Sequence, residues 1–193
     1  MTLGAAVSGG SVDLGANNDT LRLANGTNSV SVTNTETVLG GTGGDTITLT
    51  GSNNTLVDGG AGINFIKGNA GANEYVLDQN GTGDYSKIMN FGAGSGDMIA
   101  LDTTGDGTRG INAYDIGGAA LTSADLTSVA DNAALLTTTL SNNGKGGFAY
   151  EVDNGHLYYS NTGSFAGGGT LIGIITTDGT AAWTFDSTKF TQV

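Results

Sequence analysis

Residues 40–48 read GGTGGDTIT, and residues 49–76 continue as LTGSNNTLV, one extra Asp58, GGAGINFIK and GNAGANEYV. The first nonapeptide fits G-G-x-G-x-D-x-U-x at every position, with U a large apolar residue. Each part has a physical task. The glycines permit a tight turn through φ > 0. Such a turn aims carbonyl oxygens inward, those of Gly40 and Thr42 among them, where a hard cation can take them as ligands, and Asp45 adds a carboxylate. The run that follows is a short strand whose one large apolar side chain, Ile47, faces the core.

Counting backward by nines extends the pattern through residues 32–39 (one short), 23–31, 14–22 and 5–13. The eighth position then holds Val12, Leu21, Val30, Val38, Ile47, Leu56, Ile66 and Tyr75, all apolar. A solenoid of degenerate nonapeptides is therefore expected over residues 1–76, within a mainly β chain.

These units resemble the repeats-in-toxin (RTX) nonapeptides of secreted bacterial proteins. The resemblance implies a parallel β-roll in which two nonapeptides make one coil and Ca2+ sits between turns two units apart. One edge would then carry Gly10, Asn28, Asp45 and Asn64 at the sixth position, and the other Asp19, Glu36, Asn54 and Asn73. The best site is expected between the turns holding Asp45 and Asn64, beside Asn28, with Asp58 adding a second carboxylate. The opposite edge would depend on Asp19 and Glu36. The chain departs from the RTX pattern in placing Asn where Asp recurs, and each lost carboxylate weakens calcium affinity. The alternative is a roll held by its apolar stack, with Asn ladders in place of metal.

Composition agrees with a cation-dependent exported module. The formal net charge is −12, with six Lys or Arg in 193 residues, so nucleic acid and anionic membranes find no basic footprint. No cysteine is present, which excludes a disulfide framework and thiolate chemistry. Thirty-five glycines and no proline suit a periodic solenoid rather than an ordinary globular domain. No stretch reads as a signal peptide or membrane-spanning helix, and a chain that enters repeats directly after Met1 reads as part of a longer protein.

Residues 77–193 are expected to form a β-rich capping module. Strands are predicted around residues 75–77, 87–89 and 98–101, where the wider pieces resemble the closing segment of RTX rolls. Residues 102–115 (DTTGDGTRGINAYD) open like an EF-hand loop, making Asp102, Asp106 and Asp115 candidate ligands beside the plain reading as an Asp/Gly turn. The spacing of Leu121, Leu126, Val129, Ala133, Leu136 and Leu140 predicts a helix over residues 121–140. Residues 148–160 (FAYEVDNGHLYYS) predict a hairpin turning through Asn154-Gly155 as type I′. Residues 145–193 also resemble the C-terminal module of type I secretion substrates, which implies a passage through a type I secretion channel.

No catalytic constellation stands out. His156 is the single histidine, no serine lies in a nucleophile elbow, and the glycine pairs lack the lysine of a phosphate loop. The expected function is a non-catalytic, calcium-binding extracellular module of a larger secreted or surface protein. The alternative is a self-assembling adhesin, surface-layer or filament subunit joining through its solenoid edges.

Overall fold

The computed structural model describes residues 1–78, 83–94, 96–103, 114, 116 and 120–193. Ten short strands come first: β1 (Ser8–Asp13), β2 (Thr20–Arg22), β3 (Ser29–Thr33), β4 (Thr37–Leu39), β5 (Thr46–Leu49), β6 (Leu56–Asp58), β7 (Ile63–Lys67), β8 (Glu74–Leu77), β9 (Tyr85–Met89) and β10 (Met98–Leu101). They alternate between two sheets, in the orders β1-β3-β5-β7-β9 and β2-β4-β6-β8-β10, with every neighbouring pair parallel. The chain is a parallel β-solenoid of about six turns.

Two apolar rows hold it together. In one sheet Val30, Ile47, Ile66 and Ile88 stack in register. In the other, Leu21, Val38, Val57, Tyr75 and Ile99 do the same. All nine are buried. Parallel pairing places like positions of successive coils side by side, so a nine-residue repeat becomes a continuous dry seam.

Two positions depart from the nonapeptide count. Val57, not Leu56, lies in the seam, and Leu56 is only half-buried. A one-residue slip sends each side chain to the opposite face. Pointing Leu56 inward would also have driven Asp58 toward the apolar row, where a carboxylate is costly. The extra residue is thus absorbed in the turn before β6. In the first coil, Gly10 pairs with Val30 and Val12 with Val32 across a register shift, so Val12 is only partly buried.

The C-terminal part adds to both sheets. It contains β11 (Leu126–Val129), α1 (Asn132–Leu135), β12 (Gly147–Glu151), β13 (His156–Ser160), β14 (Thr170–Ile175) and β15 (Phe190–Gln192). Strand β14 lies parallel to β9, and then β13, β12 and β11 extend that sheet to nine strands. Strand β15 lies parallel to β10 and ends the six-stranded sheet. One buried apolar cluster runs from Leu21 to Phe190.

The long helix expected over residues 121–140 does not form. Leu126 and Val129 belong to β11, paired with β12, and the helix is a single turn begun by Asp131, whose carboxylate accepts the Ala134 N–H at 2.9 Å. The exposed edge of β12 supplies a full ladder for the segment Leu126-Thr127-Ser128-Val129, and this outweighs a weak helical stripe. The hairpin does form, pairing Tyr150 with Leu157. Its turn is wider than type I′: the Gly155 N–H reaches the Glu151 carbonyl at 2.9 Å, and Gly155 has φ 78° while Asn154 stays out of the left-handed region.

Candidate functional site

The turns of residues 24–28, 40–45 and 59–64 stack along one edge, and their side chains form a hydrogen-bonded ladder. Asp45 is fully buried. One of its oxygens accepts the backbone and side-chain N–H groups of Asn28, each at 2.8 Å, and the other accepts the Gly41 N–H at 3.3 Å. The Asp45 N–H donates in turn to the Asn64 side-chain oxygen at 2.9 Å. Asn28 also donates to the carbonyls of Ala24 and Gly26 at 2.8 Å, and Asn64 donates to that of Gly60 at 3.0 Å. The structure thus brings Asn28, Asp45 and Asn64 together.

Two glycines make the stacking possible. A Cβ on Gly40 would lie 3.0 Å from an Asp45 carboxylate oxygen and would collide with the Gly59 carbonyl. Gly60 sits at φ 70° with its Cβ position blocked by the Gly41 carbonyl. Side chains at either place would part the turns.

As a set of calcium ligands the ladder does not fit. A hard cation needs several oxygens that face it with their lone pairs. Here two of three rungs are amides whose N–H groups fill the inward carbonyls, and the one carboxylate is engaged by three N–H donors. The Thr42 carbonyl accepts the Gly26 N–H at 2.6 Å, and Gly40 donates to the Asp58 carbonyl at 2.7 Å. Asp58 accepts the Gly60 N–H at 2.8 Å, closing its own turn.

The opposite edge carries Asp19, Glu36, Thr55, Asn73 and Asp97, with Thr55 in the place assigned to Asn54 because of the slip at Val57. Glu36 accepts the Asp19 N–H at 2.8 Å, which holds its carboxyl below the usual range, and also bonds Asn53 at 3.2 Å. Asp97 is buried and repeats the Asp45 arrangement. It accepts both Asn73 N–H groups, at 2.8 and 3.3 Å, and the Gly92 N–H at 2.8 Å. Burial raises its carboxyl above the usual range in spite of these bonds. Counting nonapeptides missed Asp97, yet residues 92–99 (GAGSGDMI) carry a loosened copy of the motif.

Asp102 is buried just past β10, whereas Asp106 and Asp115 lie outside the described residues. His156 sits on the hairpin, its Nδ1 3.1 Å from the Tyr158 hydroxyl and 3.7 Å from the buried Glu151 carboxylate. Among the described residues, no three His, Cys, Asp or Glu side chains group so as to hold a metal ion, and no helix is long and apolar enough to cross a membrane. Comparison with known protein families, curated proteins and solved structures finds no match.

Proposed function

We propose that the chain is a non-catalytic, exported β-solenoid module of the RTX type, carried to the cell exterior through a type I channel as part of a larger protein. The observation that carries this reading is the complete nonapeptide of residues 40–48 at the centre of a two-sheet parallel roll, stacked on turns two units away. Composition adds support. A chain at −12 resists compaction by self-repulsion, and a cation that binds only the folded form adds stability by mass action. Without proline or cysteine, no slow isomerisation or crosslink hinders passage as an unfolded chain.

The test is export. A reporter fused ahead of the chain, in a bacterium expressing a type I channel, is expected in the medium. Deletion of residues 182–193 should retain it inside the cell. Undiminished export after that deletion would overturn the reading.

A second reading, end-to-end assembly, rests on β1. This strand ends its sheet, and five of its six residues are exposed. Parallel edges of this kind accept another strand. Light scattering that grows with protein concentration would favour it, and a monodisperse monomer would exclude it.

A further inference from the structure

Strands β3, β5, β7, β9 and β14 lie side by side in the nine-stranded sheet, and none of them contains Asp or Glu, although the chain has 18. Their inward positions Val30, Ile47, Ile66, Ile88 and Ile175 are buried. Alternation therefore turns Thr46, Phe65, Lys87 and Ile174 outward as one in-register row. Lys67 is exposed one step along β7, diagonal to Lys87. Two of the six Lys or Arg thus share one acid-free face, which a net charge of −12 conceals. Among the described residues neither ammonium forms an ion pair with a carboxylate. Asp84 and Asp178 stand beyond the strand ends, and the Asp178 carboxylate is turned into its own loop by the N–H groups of Thr180 and Ala181, at 2.8 and 2.7 Å.

The same face leaves apolar side chains in water. Phe65 is 43% exposed and Ile63, two residues before it, 42%. The half-buried Tyr85 stands opposite Ile63 in register. An apolar cluster beside two cations that no neighbouring acid neutralises marks a binding surface, and its charge selects an anionic partner. Next to it, Thr46 and Thr48 on β5 pair with Ser29 and Ser31 on β3, so the face continues as rows of hydroxyls. Rings for stacking, hydroxyls for hydrogen bonds and ammonium groups for carboxylates together fit an acidic sugar chain. A protein partner covers about 800 Å² around an apolar centre, which rows of hydroxyls do not provide. A second copy of the chain meets the repulsion of −12 against −12. Duplex DNA carries one charge per roughly 1.7 Å, and a chain at −12 repels so dense an anion more strongly than a glycan with one carboxylate per sugar.

We propose that the outward face of β5, β7 and β9 binds an acidic polysaccharide whose sugars bear carboxylates. The Phe65 ring takes the apolar face of a sugar, and Lys67 and Lys87 take the carboxylates on either side. Charge-assisted bonds from ammonium to carboxylate are about twice as strong as neutral ones, so the lysines carry selectivity and the ring adds contact area. This inference goes beyond the export reading and does not rest on it.

The test titrates fluorescently labelled polygalacturonate with the full chain and follows fluorescence anisotropy. EDTA is present throughout, so that no calcium ion bridges protein and polymer. The parent is expected to bind, and added sodium chloride to weaken the binding. The double variant Lys67→Gln/Lys87→Gln should bind about tenfold more weakly. Phe65→Ala should bind about fivefold more weakly. Lys145→Gln, exposed on the C-terminal part, should bind as the parent does. All three variants alter surface side chains, and far-UV circular dichroism confirms their fold. No binding by the parent, full binding by the double lysine variant, or equal binding of uncharged dextran would each overturn the proposal. Tighter binding of a DNA oligonucleotide would do the same. So would a dimer in sedimentation that Phe65→Ala dissolves, since the face would then belong to a second copy. Failed export with intact polygalacturonate binding would instead strike only at the proposed function.

Discussion

The Asp45 carboxylate takes both N–H groups of Asn28, and Asn64 then receives the Asp45 N–H. The sequence of acceptors and donors runs in one direction along the edge. Each rung satisfies a backbone donor of the neighbouring coil that strand pairing does not reach. Asp45→Ala should therefore leave the buried backbone N–H of Asn28 without its acceptor, at about 1–3 kcal/mol. Urea denaturation in the presence of a chelator is the measurement. If the variant matches the parent there, the ladder contributes nothing of its own.

The apolar seam makes a second demand. Ile47 is fully buried between Val30 and Ile66, and Ile47→Ala should cost about 2–5 kcal/mol. The slip at β6 sharpens this into a comparison. Val57→Ala should destabilise more than Leu56→Ala, although it removes fewer atoms, because only Val57 lies in the seam. The reverse order in chemical denaturation would refute the register described above.

Most of this seam was legible in the sequence, because a parallel stack repeats the same burial at each coil. Leu21, Val30, Val38, Ile47, Ile66 and Tyr75 all follow from counting nines. The count failed at Leu56 because period alone does not say on which side of a strand an extra residue is absorbed. It failed at Asp97 for a related reason: 24 positions separate Asn73 from its partner there, where rungs on the other edge are 17 and 19 apart. The helix expected over residues 121–140 was lost to a partner strand, β12, that local spacing does not reveal.

Glycine positions separate strain from stacking. Gly15 and Gly60 both have positive φ, 85° and 70°, but only the Gly60 Cβ position is blocked by a neighbouring coil. Gly15→Ala should cost roughly 1–2 kcal/mol from the left-handed backbone alone. Gly60→Ala should cost clearly more, since the Gly41 carbonyl is backbone and cannot swing aside. Thermal melts of the two variants decide it; equal losses would mean that the coils part easily.

The carboxylates should titrate in opposite directions. Burial raises Asp97, so the native state takes up its proton sooner than the unfolded chain, and the charge of Asp97 weighs against folding as pH rises through that window. Asp178 is lowered, first by the Ala181 N–H, and Asp186, first by the Thr188 hydroxyl. Their contributions are present above the ordinary carboxylate value of about 4 and are lost as pH falls through their folded values. Carboxyl carbon shifts followed by NMR should show Asp97 protonated first as the solution is acidified, with Asp178 and Asp186 protonated only at lower pH. An Asp97 midpoint at or below that of Asp178 would contradict the burial seen here.

The return of the cap to the solenoid sets a time order for folding. The Thr176 hydroxyl bonds the Ile88 carbonyl across 88 positions, and Phe190 pairs with Ile99. Coils 17–19 residues apart can zip one upon the next, each closing a short loop. The docking of β14 and β15 must instead close loops several times longer, and loop entropy grows with length. Non-local pairings of this kind slow the search far more than they change the final stability. Until they form, β9 and β10 present bare edges, so the interval between growth of the roll and arrival of its last strands is when the chain is most open to pairing with another copy of itself.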